Sequence, residues 1–136
     1  MNTLLRRCLA VCLILLFVSG CGAWHSLHPK IDASHAPQIV ELIPPDDAVA
    51  VPADLQEMVV RFDRSMHDGF SLRFHGPNPL YKQPYWRDAT QLVIPIRLLS
   101  GEQYTIDLND AEHYSFIDRR GFALMPTRWQ FTTGTE

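Results

Sequence analysis

The chain has 136 residues, of which 46% are hydrophobic, and 12 Lys and Arg stand against 15 Asp and Glu for a net charge of −3 with neutral histidines. The arginines are scattered among acids along the sequence. A nucleic-acid-binding protein, which needs clustered Lys and Arg, is therefore excluded, and an anionic membrane surface is not favoured as a partner either.

The first 20 residues have the features of an export signal. Arg6 and Arg7 precede an uninterrupted apolar run at residues 8–18, which is shorter than the about 20 residues that a membrane-spanning helix needs. The small residues at 18–20 stand directly before Cys21 and resemble the lipobox of bacterial lipoproteins. The resemblance implies removal of residues 1–20 and attachment of a lipid to the sulfur of Cys21.

Cleavage at this point settles the cysteine chemistry. Cys8 and Cys12 leave with the signal and Cys21 carries the lipid, so the mature chain is expected to have no free thiol and no disulfide. The signal holds two arginines and no acid, which leaves 116 of the 136 residues and a net charge of −5. This length suits one domain that holds together without crosslinks.

The residue after the lipidated cysteine indicates whether the anchor lies in the inner or the outer membrane. Gly22 is not the aspartate linked to inner-membrane retention in related lipoproteins. We therefore expect a lipid anchor in the outer membrane of the cell envelope, with the domain facing the periplasm.

Residues 21–37 are predicted to form a lipidated cysteine and a flexible tether, because they are small, polar and without periodicity. His25, His28 and His35 allow a second interpretation, since imidazole is a common metal ligand. No acid or thiolate at ligand spacing completes such a set, so we predict a solvated linker, no metal site and no cofactor.

From residue 39 onward, short apolar–polar alternations are separated by Pro, Gly, Asn and Asp, without helical periodicity. The alternation predicts strands at residues 39–43, 48–51, 55–62, 70–74, 81–87, 91–96, 103–108 and 128–132. The prolines at 44, 45 and 52 suit an edge strand that switches its pairing partner. Seven or so short strands predict an all-β, immunoglobulin-like antiparallel sandwich.

Residues 99–106 have the pattern of a tyrosine corner. A leucine and a glycine turn precede Tyr104, which opens an alternating strand. In such a corner the phenol bonds back to the backbone where the chain crosses between the sheets. The alternative is a ring that merely packs in the core.

The domain resembles the bacterial immunoglobulin-like domains of the SbsA type, a family named for surface-layer proteins. The resemblance covers about residues 37–134 and gives a domain at 38–134. It rests on the segments 44–52, 59–66, 99–106, 118–121 and 129–133. It implies a spacer or adhesion-like module without a catalytic site, although a shared fold does not assign a function.

Two groups of polar residues resemble parts of catalytic or metal-binding patterns. Asp63, Ser65, His67 and Asp68 are close in sequence, but Ser65 lies in no Gly-x-Ser-x-Gly elbow. Asp107 and Asn109 begin like a calcium loop, whose next ligand position and glycine are missing. No catalytic activity is expected.

Two functional classes remain. The first is a lipid-anchored structural or protein-interaction module of the cell envelope, which would recognise another envelope protein through a sheet edge. The second is a glycan- or peptidoglycan-binding module that uses Tyr81, Tyr85 and Trp86 on a proline-rich loop. Flat aromatic rings can stack on sugars, but large aromatics more often pack against the domain.

Overall fold

A computed structural model describes residues 28–135, which form eight strands and no helix. The strands are β1 (Ile39–Ile43), β2 (Ala48–Val51), β3 (Glu57–Phe62), β4 (Leu72–His75), β5 (Tyr85–Asp88), β6 (Gln91–Pro95), β7 (Gln103–Leu108) and β8 (Thr127–Thr133). They make two four-stranded sheets with the orders β1-β3-β6-β5 and β2-β8-β7-β4. No helix within residues 28–135 is long and apolar enough to cross a membrane.

The prediction of an all-β, immunoglobulin-like sandwich is confirmed. The structure differs in detail, since β2 and β8 pair in parallel while the other neighbours are antiparallel. The strand predicted at 81–87 begins only at Tyr85, directly after Pro84. Before it, Leu80 forms an isolated bridge with Ile96, the residue that follows β6.

Inward-facing side chains of both sheets build the core, and burial alternates regularly along β7 and β8. The largest fully buried side chains are Trp129, Tyr104, Phe116, Phe131, Met58 and Met66. Burying each large apolar side chain contributes about 1.5–3 kcal/mol. The indole of Trp129 also keeps a polar partner, because its Nε1 donates to the carbonyl of Pro44 at 3.0 Å.

The proline-rich turn after β1 transfers the chain from one sheet to the other. β1 is an edge strand of the first sheet and β2 is an edge strand of the second. Asp47, with a φ of 59°, and Asp46 hold the turn against Gln130 of β8. This is the change of partner that the prolines predict.

Asn109 organises the loop that follows β7. Its buried amide donates to the carbonyls of Phe116 and Leu124 and accepts from the amides of Ser115 and Phe116, all at 2.9–3.2 Å. Its φ of 55° lies in the left-handed region that asparagine tolerates. The asparagine of the calcium-like pattern is thus a structural centre of this loop.

The prediction of a flexible tether over residues 21–37 is wrong for its second half, because residues 30–37 pack on the domain. Lys30 donates its N–H to Gly121 and accepts from Ala123, at 2.8 and 2.9 Å. The ring of His35 stacks on Phe122 with 5.3 Å between centroids, and Ala36 is buried. The signal segment 1–20, Cys21, Gly22 and His25 lie outside the described residues.

Candidate functional site

A groove of about 660 Å³ opens at the end of the sandwich where β3 begins and β6 ends. Three segments supply its walls. The lining residues are Ala53, Asp54, Leu55, Gln56, Glu57, Tyr81, Lys82, Tyr85, Pro95, Ile96, Arg97 and Leu98. We call it the Tyr81 groove.

Tyr81 is held in the wall by main-chain pairing with the end of β6. Its N–H donates to the carbonyl of Pro95 at 3.0 Å, while the N–H of Arg97 donates to Pro79 at 2.8 Å. The guanidinium carbon of Arg97 lies 3.6 Å from the centroid of the Tyr81 ring. Tyr81 is still 46% exposed, so one face of its ring carries Arg97 and the residue remains partly open to solvent.

Tyr85 and Trp86 point to opposite sides of β5, because successive side chains of a strand alternate. Tyr85 pairs with Val93 on the outer face and is 46% exposed. Trp86 turns inward and packs on the ring of Phe62 at 5.9 Å, and its Nε1 donates to the carbonyl of Asp68 at 2.8 Å. The predicted aromatic set is therefore divided: Tyr81 and Tyr85 line the groove, and Trp86 belongs to the core.

The charges of the groove are unevenly placed. Glu57 is paired with Arg87 at 3.1 Å. Lys82 has its Nζ 5.3 Å from the Tyr81 centroid and, like Arg97, forms no ion pair with any residue of the described chain. Lys82 and Arg97 therefore both flank the ring of Tyr81.

The tyrosine corner lies next to the groove, at the turn that follows Leu98. The N–H of Leu99 donates to Tyr104 Oη at 2.8 Å, and Tyr104 is 1% exposed. Thr133 ties the same turn, since its hydroxyl donates to the carbonyl of Leu99 at 2.6 Å. The turn that follows Leu98 of the groove is thus fixed by a buried phenol.

The polar residues considered for catalysis serve local structure. Hydrogen bonds from Arg64 hold the pKa of Asp63 below its ordinary value against the opposing effect of burial. His67 donates its N–H to Ile117, and the carbonyl of Asp68 accepts from Trp86. These four side chains are not brought together as a relay.

Asp107 lies on the outer face of the second sheet and binds two cationic or polar partners. Arg128 Nε donates to it at 2.8 Å, and His75 Nε2 lies 2.7 Å away. The hydrogen bond from Arg128 and then that from His75 lower the pKa of Asp107 to about 2, although partial burial opposes this. Both carboxylate oxygens of Asp107 are therefore engaged by neighbouring side chains and are not arranged for a calcium ion.

The histidines proposed as an alternative metal set are not assembled in the described part. His35 Nδ1 lies 2.8 Å from Asp32 Oδ2 within a local turn. Across residues 28–135 no group of three or more His, Cys, Asp and Glu side chains could hold a metal ion.

The fold and the groove define a small β-sandwich protein with an open groove at one end. No protein-family model matches this chain, and the search of curated proteins gives no match. Among solved structures, it is similar to CopC from Methylosinus trichosporium OB3b, with a TM-score of 0.56 and 12% identity over 74% of this chain and 95% of that chain. At this identity the likeness is one of fold alone.

Proposed function

We propose that this protein is a lipid-anchored module of the cell envelope that contacts another envelope protein through the Tyr81 groove and catalyses no reaction. Cys21 would carry the lipid and hold the domain at the outer membrane, facing the periplasm. The observation that carries the contact site is the stack of Arg97 on Tyr81 at 3.6 Å, with exposed Tyr85 in the same groove.

The composition of the groove favours a protein as the partner. Tyrosine and arginine are enriched among the residues that dominate protein interfaces. Both are already held in place here, by the pairing of residues 79–81 with 95–97 and by the stack itself. A preorganised surface loses less side-chain entropy when a partner binds.

The position of the groove suits a domain anchored at its N-terminus. β3 begins at Glu57 beside the groove and ends at Phe62, after which Asp63 bonds to Gln38 of the N-terminal segment. Six strand residues span about 20 Å, so the groove lies at the opposite end of the sandwich from the segment that leads back to Cys21. An anchor there leaves the groove open to the periplasm.

Glycan or peptidoglycan binding is the second candidate, favoured by the exposed rings of Tyr81 and Tyr85 in one groove. Two features weaken it. Arg97 covers one face of Tyr81, and Trp86 is turned into the core, so the chain lacks the three-ring platform that the sequence suggested.

The test is to titrate a form lacking residues 1–21 with peptidoglycan fragments and envelope polysaccharides, with Tyr85→Ala as the groove variant and Val49→Ala as its exposed control. We expect no saturable binding. Saturable sugar binding that Tyr85→Ala removes and Val49→Ala leaves unchanged would replace the protein-contact proposal with the glycan one.

A further inference from the structure

Most cationic side chains in residues 28–135 have a fixed polar partner. Six arginines form ion pairs with carboxylates: Arg61 with Glu41, Arg64 with Asp63, Arg73 with Asp110, Arg87 with Glu57, Arg120 with Asp118 and Arg128 with Asp107. Lys30 and Arg119 instead donate to main-chain carbonyls. Within this part of the chain, only Arg97 and Lys82 have side chains that make neither an ion pair nor a hydrogen bond.

Both of these cations contact the same ring. The Arg97 guanidinium lies over Tyr81 at 3.6 Å, and Lys82 Nζ lies 5.3 Å from its centroid. Stacking engages the face of a guanidinium and leaves its N–H donors at the edge available. The Tyr81 ring therefore positions the guanidinium of Arg97 and the ammonium of Lys82, and it leaves their N–H donors available for a ligand.

We infer that the Tyr81 groove binds an acidic segment of a partner protein, with a carboxylate of that segment held between Arg97 and Lys82. This inference rests on the proposed function and specifies its ligand. A carboxylate matches the geometry of the guanidinium fork, and charge-assisted hydrogen bonds are shorter and stronger than neutral ones.

The remaining residues of the groove give the bound segment a direction. Asp54 lines the groove on the segment that pairs with Ile96 on its other side and forms no ion pair with another described residue, while Leu55, Pro95 and Leu98 supply apolar surface. A carboxylate next to Asp54 would be repelled, whereas one next to Arg97 and Lys82 is attracted. The segment therefore places its acid at the Tyr81 side and an apolar side chain between the walls.

The experiment begins with the full-length lipidated protein in its own envelope. A photo-crosslinking amino acid replaces Leu99, which is 62% exposed and adjoins the groove, and in a control it replaces Val49, which is 79% exposed and does not line the groove. Mass spectrometry identifies the segment captured at position 99 but not at position 49. A synthetic peptide of that segment is then titrated against the protein and its variants.

We expect the captured segment to contain Asp or Glu and its peptide to bind more weakly at high salt. Loss of one charged hydrogen bond in Arg97→Gln should weaken the peptide about tenfold or more, and Lys82→Gln should act in the same direction. Lys30→Gln and Arg61→Gln lie outside the groove and should leave binding unchanged. Neutralising the acids of the peptide should weaken binding to the natural protein and cancel the effect of Arg97→Gln.

Two failures are distinguishable. The carboxylate inference would be overturned if the affinity of the captured peptide changed neither with Arg97→Gln nor with neutralisation of the peptide's acids. The contact proposal would then still stand. Absence of any segment captured at position 99 would overturn the contact proposal itself.

Discussion

The phenol of Tyr104 is the acceptor on which the turn after Leu98 depends. Tyr104→Phe would leave the N–H of Leu99 without its 2.8 Å partner. A donor left unpaired in this partly buried contact costs roughly 1–3 kcal/mol, so the variant should unfold at lower denaturant concentration. Tyr85→Phe removes an exposed hydroxyl and is the control. Equal midpoints for Tyr104→Phe and the natural protein would mean that the ring contributes by packing alone.

Asp107 should make the domain sensitive to acid. Its pKa falls from 3.8 in the unfolded chain to about 2 in the folded one, because Arg128 and His75 bond to the carboxylate. The unfolded state then binds more protons below pH 4, so the stability present above about pH 4 is lost as the pH falls through about 2.

Unfolding free energies measured by urea between pH 6 and pH 2 test this. Asp107→Asn cannot titrate at this position, so its stability should fall less steeply than that of the natural protein in this window. Asp88→Asn is a useful comparison, since Asp88 is an exposed carboxylate whose pKa is also lowered, by hydrogen bonds from Thr90. Identical pH slopes for Asp107→Asn and the natural protein would contradict the role given to Asp107.

Residues could be assigned from the sequence where their signal was local. Tyr104 and Leu99 are five positions apart within one motif, so their contact could be anticipated. Arg97 and Tyr81 are 16 positions apart and belong to no motif, and their stack depends on how residues 79–81 meet the end of β6. Asn109 likewise bonds to groups up to 15 residues away. Such contacts are set by the tertiary fold and have no signature in the linear pattern.

The strands were predictable because one face of each sheet is buried. The predicted bounds of β1, β2 and β7 are those of the structure, and burial alternates with period two along β7. The prediction was wrong for the start of β5, which was placed at Tyr81 and lies at Tyr85. Pro84 delays the start of the strand, and pairing with β6 then sends Tyr85 outward and Trp86 inward. Which face of an edge strand is buried depends on its register with the neighbour, and the sequence alone does not show it.

The contacts of the N-terminal segment could not be predicted from the sequence either. Residues 30–37 look like a linker because they lack periodicity, yet they are bound to a turn about 90 residues later in the chain. We predict that a form beginning at Gln38 is less stable than one beginning at Gly22, by roughly 1–3 kcal/mol for the two main-chain hydrogen bonds of Lys30. The loss of the His35–Phe122 stack acts in the same direction.

Chemical denaturation of the two forms measures the difference, and a form beginning at Lys30 is the control that keeps the docked segment. The form beginning at Lys30 should match the longer one. If the form beginning at Gln38 unfolded at the same midpoint, the docked segment would contribute nothing to stability.

In the proposed function, the two ends of the molecule have different tasks. The docked segment 30–37 and the turn around Gly121 form the end that leads to Cys21, and the Tyr81 groove forms the other. The proposed lipid anchor would confine the domain to a thin layer, and tethering of this kind raises effective concentrations to the order of millimolar. The proposed contact would then need only modest intrinsic affinity for the groove to be occupied by a neighbouring envelope protein.

The final prediction therefore couples the anchor to the contact. Cys21→Ser should abolish lipidation and leave the protein either uncleaved or released from the membrane, and the capture seen at position 99 should fall strongly although the sandwich remains folded. The natural protein should fractionate with the outer membrane. A Cys21→Ser form that is still processed and still partitions with membranes would contradict the lipobox interpretation. Undiminished capture by a released form would mean that the groove binds tightly by itself, without help from the anchor.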